Sequence, residues 1–434
     1  MIEARFRAAL GLGLLLLLAW LLSSNRRAVS WRLVGWGVGL QVIFALLVLR
    51  TPAGVAAFDG INHVVHAVLG YGEQGSRFIF GNLVDNEVAV GTVGGDGAFA
   101  ASADRVASTG AFFAFRILPN IIFIASLMTV LYHLGIMQRI VRAAAWVMQK
   151  TMKTSGAETL CTASNIFVGM MESPLVVKPY VEKMTESEMM AIMTAGLATI
   201  SGSVLAAYAA MMMPHAPDAA GHLVAASIMS APAALVMAKL LVPETEVPAT
   251  AGRLTEDVER PDVNVIDAAA RGAAEGLRLA LVVGAMLIAF IAMVSMLNGV
   301  IGWAGGLVGL EGLTLEGILG QALAPVAWLL GVSWADAGLI GRTIGVDFVL
   351  NEFVAYVQLS SALASGTSAE PRSLVIGIYA LTTFANFGSV AMTIAGIGVI
   401  APSRRHDLAR LGLRSLGAGL MASLMTAAVA GMLV

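Results

Sequence analysis

The chain has 434 residues, 58% of them hydrophobic and only 12% charged, with a mean hydropathy of +0.83. Soluble domains carry about 25% charged residues and cannot hide so much apolar surface, so the composition excludes a soluble globule and points to an all-α membrane protein. The net charge of -2 comes with no basic aromatic patch, so no nucleic-acid partner is expected, and the single Cys161 excludes an internal disulfide and any multi-cysteine zinc site.

A span needs about 20 apolar residues. Arg5 and Arg7 precede the apolar run 8–22, which is followed by Ser23-Ser24-Asn25-Arg26-Arg27 rather than a small-residue cleavage site. The run therefore reads as a first transmembrane helix, with a cleaved signal as the alternative. The second span is 34–49. The Gly-rich, mildly amphipathic stretch 51–108 reads as lying on the membrane or against the bundle; His63 and His66 fall in it without a third ligand nearby, so no metal is expected there. Further spans at 117–134, 189–213, 223–241, 279–297, 374–400 and 411–434 bring the total to eight. The most polar segment, 243–267, with Glu244, Glu246, Glu256, Asp257, Glu259 and Asp262, reads as a solvated loop.

Two apolar regions are too broken to be simple spans. One is 160–177, interrupted by Gly169, Glu172 and Pro174; the other is 319–359, interrupted by Gly331, Gly341, Gly345, Asp347, Asn351 and Glu352. Non-helical backbone at membrane depth must be covered by protein or line a cavity. Both regions read as re-entrant helical hairpins, with a short core helix plus a loop as the alternative. The chain then divides into an N-terminal scaffold (1–110), a first repeat (111–242), a polar loop (243–276) and a second repeat (277–434).

Orientation follows from Lys and Arg. Arg26, Arg27 and Arg32 lie between spans one and two, and Arg139, Arg142, Lys150, Lys153, Lys178 and Lys183 lie between three and four. Arg253, Arg260 and Arg271 lie between five and six, and Arg404, Arg405 and Arg410 between seven and eight. These fall on one side, read as cytoplasmic. On the other side the loop after Met213 has no Lys or Arg, and Arg77 and Arg105 in 51–108 are outnumbered by acids. Both termini are expected outside, with Arg5 and Arg7 the discordant residues.

Two polar clusters inside apolar stretches look like copies of one plan. Asn165 and Glu172 are followed by Thr199-Ile-Ser-Gly-Ser203-Val; Asn351-Glu352 is followed by Phe384-Ala-Asn386-Phe-Gly-Ser389-Val. An acid at a helix centre in a bilayer costs roughly 2.5–3.5 kcal/mol on insertion scales, so such residues usually mark a pathway or a pair. Two halves with Gly-interrupted helices point to a binding site at a repeat interface.

From about Phe78 onward the chain resembles the concentrative nucleoside transporters. The matching stretches are Arg116-Ile-Leu-Pro-Asn-Ile-Ile-Phe, Leu131-Tyr-His-Leu-Gly-Ile-Met-Gln, Gly169-x-x-Glu172-Ser-Pro, Ala198-Thr-Ile-Ser-Gly-Ser-Val-Leu-Ala-Ala-Tyr208, Asn351-Glu-Phe-Val-Ala-Tyr356 and Phe384-Ala-Asn-Phe-Gly-Ser389. The resemblance implies eight transmembrane helices, two re-entrant hairpins of opposite orientation in an inverted-repeat core, a homotrimer, and cation-driven nucleoside uptake at a bacterial cytoplasmic membrane. It implies ribose contacts from Glu172, Glu352, Asn386 and Ser389, and apolar packing from Val204 and Phe384. It implies a sodium site at Asn165, Val168, Thr199 and Ile200, with Thr199 standing where the family carries serine; a proton is the alternative coupling ion. No enzymatic cofactor is implied.

The chain departs from that pattern at Met170 and Met171, where the family usually has Gln and then Thr or Ser at the base edge. Methionine is a weak acceptor on a flexible chain, so base recognition is expected to be loose while ribose recognition is kept. Uptake of a nucleobase, modified nucleoside or sugar stays open, as does a channel. An intramembrane enzyme is disfavoured: no HExxH, GxSxG or Walker motif occurs, and all six His lie outside the polar clusters.

Overall fold

The computed structural model describes residues 2–85, 87–93, 95–96, 99–108, 113–252 and 262–434. Arg253, Glu256, Asp257, Glu259 and Arg260 of the polar loop lie outside the described residues, as does the side chain of Arg105.

The chain opens with two apolar helices, α1 (Ile2–Leu21) and α2 (Trp31–Arg50). The stretch expected to lie on the membrane or the bundle is mostly one helix, α3 (Pro52–Phe80). Thr51 starts it by accepting a hydrogen bond from the Gly54 amide at 3.0 Å, and Pro52 takes the first-turn position where no donor is needed. One face packs on the bundle: Phe58 meets the His222 ring at 4.9 Å, and Asn62 accepts from the Gly221 amide at 2.7 Å. A two-stranded antiparallel hairpin follows, β1 (Glu87–Val93) and β2 (Phe99–Ser108), paired from Glu87↔Ser108 to Val93↔Phe99. This hairpin is a local addition to a helical fold: Val88, Val90, Thr92 and Val93 are residues that favour a pleated surface.

The same order of elements then occurs twice. The first set runs through α4 (Leu118–His133), α5 (Ile136–Met152), α6 (Gly156–Asn165), a turn and short α7 (Lys178–Val181), α8 (Glu186–Ala198), α9 (Gly202–Met212) and α10 (Ala219–Leu241). The second runs through α11 (Val265–Leu307), α12 (Leu315–Leu329), α13 (Trp334–Val349), α14 (Glu352–Ala364), α15 (Pro371–Ala380), α16 (Phe387–Ile400) and α17 (Arg405–Leu433). In each set a helix break precedes the next-to-last helix: 199–201 before α9 in the first and 381–386 before α16 in the second.

Seven described helical segments are long and apolar enough to cross a membrane: α1, α2, Phe113–His133, Glu186–Met212, α10, α11 and Pro402–Leu433. The expected span 374–400 is divided between α15 and α16. Two expectations are corrected. The polar segment is helical from Val265 on, because Asn264 caps the Asp267 amide at 2.9 Å and starts α11 far ahead of residue 279. The broken region 319–359 holds two separate features: α12 turns through 116° into α13, and only α13 and α14 flank the polar break at residues 350–351. α5, missed in the sequence, buries Met137, Val141, Ala145, Met148 and Met152 at helical spacing while Arg139, Arg142 and Lys150 stay exposed.

Helices α4 and α11 pack closely through small residues. A Cβ on Gly276 would come within 2.7 Å of the Ile122 backbone, and one on Gly272 within 2.8 Å of the Ser126 backbone. This crossing forms one wall of the site described below.

A buried polar hub fixes the base of the first hairpin. Ser155 and Glu158 form a capping box at the start of α6, and Thr185 and Glu188 form another at the start of α8. The Ser155 hydroxyl also donates to Glu188, and Lys239 of α10 pairs with Glu158 at 2.7 Å and Glu244 at 3.2 Å. Lys239 and Glu158 are almost fully buried, so each needs the other. Removing one partner of a buried pair costs about 3–5 kcal/mol. Lys239→Met should therefore lower the melting temperature of the purified protein clearly, and adding Glu158→Gln should recover much of the loss. A single variant that melts like the wild type would show that the hub does not hold the hairpin.

Candidate functional site

Two pairs of helix ends converge at the centre of the repeated core. α6 ends at Asn165 and α8 at Ala198, so two helix C-termini with their partial negative charge and orphan carbonyls meet there. α14 begins at Glu352 and α16 at Phe387, so two N-termini with partial positive charge meet nearby.

The C-terminal meeting point gathers the residues expected to hold a cation. The Asn165 amide donates to the Ala195 carbonyl at 2.6 Å and to the Thr199 hydroxyl. Thr199 in turn donates to Ala195 at 3.0 Å, and Asn165 Oδ1 accepts from the Ser173 hydroxyl at 3.1 Å. Asn165, Thr199 and Ile200 are buried, while Val168 lines the adjoining cavity. Among the described residues no hydrogen bond reaches the carbonyl of Val168 or Ile200. The set offers neutral oxygens only, which fits a monovalent hard cation at exposed half-helix carbonyls.

The N-terminal meeting point is built around Glu352. Its Oε1 accepts from the Tyr208 hydroxyl at 3.0 Å and its Oε2 from the Asn386 amide at 2.9 Å. Asn351 caps α14 by accepting from the Val354 amide at 2.9 Å, and Asn386 Oδ1 caps α16 by accepting from Ser389 N at 2.9 Å. Tyr208 is itself locked, stacked on Tyr356 at 4.3 Å and edge-on to Phe353 at 4.8 Å.

The two breaks are bonded to each other. The Leu197 carbonyl, near the end of α8, accepts from the Thr383 hydroxyl at 2.7 Å and the Phe384 amide at 2.8 Å. The Gly202 amide, starting α9, donates to the Phe167 carbonyl of the first hairpin at 3.1 Å.

Between these centres lies a cavity of about 270 Å³. All eight residues expected at a substrate site line it: Met170, Met171, Glu172, Val204, Glu352, Phe384, Asn386 and Ser389. Gly169 makes the hairpin tip possible. Its φ is +122°, and a Cβ there would lie 2.8 Å from a Glu172 carboxylate oxygen. Glu172 is exposed within the cavity. The methionines differ: Met170 is buried against Gly196 and accepts a 3.6 Å contact from the Thr393 hydroxyl, whereas Met171 is 39% exposed and packs over Gly396.

The sequence did not single out Glu275 or the role of Tyr208. Glu275 lines the cavity and accepts from Arg271 at 2.8 Å; Arg271 also pairs with Asp262 at 2.6 Å. The guanidinium bonded to Asp262 holds its carboxyl below the usual carboxylate range. The overlooked signal for Glu275 was an acid near the start of a long apolar helix. For Tyr208 it was a hydroxyl within the Ser-Val-Leu-Ala-Ala-Tyr stretch.

A repeated helical core with a polar cavity at two paired helix breaks is the architecture of a secondary transporter. Models of known families agree. Residues 10–83 match the "Na+ dependent nucleoside transporter N-terminus", 114–215 match "Nucleoside recognition", and 222–431 match the "Na+ dependent nucleoside transporter C-terminus". An uncharacterized transporter of Haemophilus influenzae is 42% identical over 98% of this chain and 97% of its own length. Mouse solute carrier family 28 member 3 is 40% identical over 98% of this chain, which spans 58% of that longer protein. CNTnw in an inward-facing, substrate-bound state superposes with a TM-score of 0.88 at 41% identity, covering 100% of this chain and 98% of that one. An outward-facing CNTnw variant gives 0.88 at 40% identity, covering 99% of each chain. The chain belongs to the concentrative nucleoside transporter family; it is a multi-pass membrane protein of a family of transporters, not of enzymes.

Tyr208→Phe keeps the ring stack but leaves one oxygen of the buried Glu352 without its donor. An unsatisfied buried group costs about 1–3 kcal/mol. Thermal unfolding should show that loss in the single variant and a smaller one when it is added to Glu352→Gln, since the two groups share one bond. Strictly additive losses would contradict the bond.

Proposed function

We propose that this protein takes up nucleosides across a bacterial cytoplasmic membrane by alternating access, drawing on a sodium gradient. The observation that carries the reading is the Glu352 carboxylate in the cavity. Tyr208 and Asn386 occupy two of its acceptor sites. An ionised carboxylate offers about four, so sites remain for sugar hydroxyls, which need acceptors stronger than water. Glu172 supplies a second carboxylate, Asn386 and Ser389 further polar groups, and Phe384 and Val204 an apolar wall for a flat base.

The coupling ion sits at Asn165, Val168, Thr199 and Ile200, next to the break that Leu197 ties to the substrate side. The hairpins at 156–181 and 334–364 enter the membrane from opposite faces, giving eight spans once α15 and α16 count as one. The Lys and Arg distribution sets both termini outside. Exposed apolar side chains on α11, among them Leu281, Ile288, Met296 and Trp303, meet lipid or neighbouring copies in a homotrimer. The relatives named as sodium/nucleoside cotransporters support sodium over a proton at this site.

The test is accumulation of labelled uridine in proteoliposomes. An inward sodium gradient should drive uptake above equilibrium, and an equal potassium gradient should not. Losing a charge-assisted hydrogen bond costs about 1.5–3 kcal/mol, so Glu172→Gln and Glu352→Gln should each weaken apparent uridine affinity roughly ten- to a hundredfold. Because Met170 and Met171 present no base-edge hydrogen-bonding group, purine and pyrimidine ribonucleosides should compete within about tenfold of each other. Uptake that ignores sodium would remove the coupling assignment. Unchanged affinity in both glutamine variants would remove the carboxylates from the site.

A further inference from the structure

A second cavity, of about 170 Å³, adjoins the substrate cavity behind the turn of the first hairpin. It is bounded by α3, α4, α9, α10 and the turn that follows α6. Val64, Val65 and Val68, on one face of α3, form one wall. Phe167 of the hairpin turn and Ala206 of α9 belong to another. Met128 and Phe167 border both cavities, so these two side chains are the partition between them. Met128 also lies over the first helix break: a Cβ on Gly202 would come within 3.1 Å of its terminal methyl.

The lining decides what can enter. Among the described residues that line the cavity, Ser227 has the one hydroxyl, and it donates to the Ile166 carbonyl at 3.2 Å. The Gly202 amide is spent on the Phe167 carbonyl at 3.1 Å. A buried water needs two to four polar partners, which this lining does not provide. A nucleoside is excluded on the same ground, because its hydroxyls would go unpaired. An apolar cavity of about 150 Å³ stays dry and takes a guest the size of benzene, so the fitting guest is a short piece of hydrocarbon.

The position of the cavity says where that hydrocarbon comes from. Val64 lines the cavity and is 62% exposed, so the cavity opens to the outside of the bundle beside α3. Its other walls include Phe167 and Gly202, which places it at the depth of the helix breaks. Broken helices of this kind lie near the middle of a bilayer. The hydrocarbon core is about 30 Å thick, so the medium facing Val64 is the end portion of lipid chains, far from headgroups and water.

We propose that this cavity binds the end segment of a membrane lipid's acyl chain, and that the chain props the turn of the first hairpin from behind. Met128 and Phe167 then have packing partners on both sides. Without a guest they lose those contacts on one side, and a gap of even 1 Å forfeits a large part of the attraction. The lipid thereby supports the wall of the substrate cavity without touching the substrate. The binding stands by itself; its effect on uptake rests on the nucleoside-transport reading.

Two measurements test the two parts separately. The first uses liposomes doped with a phosphatidylcholine that carries a photoreactive diazirine near the end of one acyl chain. Illumination should label Ile166, Leu205 and Ala206 of the wild type, which are only 4%, 7% and 4% exposed and lie beyond the reach of lipid at the outer surface. Val68→Phe and Ala206→Leu fill the cavity from two walls. In each, labelling at the remaining buried positions should fall to background, while exposed Leu14 of α1 keeps its label. No label at these buried positions in the wild type overturns the proposal, including the case of a neighbouring copy that covers Val64. Labelling unchanged in both variants overturns it too. The second compares apparent uridine affinity in straight-chain liposomes and in liposomes of methyl-branched phytanoyl lipid, whose wider chains fit the cavity poorly. The wild type should lose affinity in the branched lipid, and Val68→Phe should lose less. An equal loss in both would show that the lipid acts elsewhere and overturns the propping role. No uridine uptake in either lipid would count against the nucleoside reading, and the labelling would still decide the binding.

Discussion

The structure depends on one backbone carbonyl. Leu197, next to last in its helix, presents an oxygen that no residue of the same helix can satisfy, because the chain turns extended at Thr199. The other repeat satisfies it, through the Thr383 hydroxyl and the Phe384 amide. At membrane depth there is no bulk water to do this, and each unmade bond costs several kcal/mol. Each helix break is partnered by the other. Two unwound segments are thereby pinned back to back, one presenting carbonyl oxygens around Asn165 and Thr199, the other presenting Asn386 and Ser389 to the cavity.

This arrangement separates charge preference by helix polarity. The ends of α6 and α8 favour a cation, and the beginnings of α14 and α16 favour the anionic Glu352. In the proposed reading, ion and substrate positions follow from the directions in which four short helices point, with side chains adding specificity. The close glycine-mediated crossing of α4 and α11 closes one flank of the cavity, and Glu275 and Arg271 place a charged pair at its edge.

Much of this was legible in the sequence because polar residues are rare in the apolar stretches and therefore conspicuous. Asn165, Glu172, Glu352, Asn386 and Ser389 could be picked out singly, and all the expected substrate residues border one cavity. What was not legible depended on long-range partners or on amphipathic patterning. Tyr208 looks like one more core aromatic until its hydroxyl is seen on Glu352. α5 carries too much charge to read as a span and too regular an apolar stripe to be a loop. α11 begins early because Asn264 caps a polar first turn, which hydropathy alone assigns to solvent. Met170 and Met171 looked equivalent, but only the three-dimensional packing against Gly196 and Gly396 shows that one is buried and the other faces the cavity.

The central claim is that the ion side and the substrate side are one mechanical unit, joined at Leu197. Calorimetric titration of purified protein tests it most directly, with uridine titrated at several fixed sodium concentrations and sodium titrated with and without uridine. Linkage requires the two effects to be equal: sodium should tighten uridine binding by the same factor by which uridine tightens sodium binding. A uridine affinity that is identical with and without sodium would contradict the account.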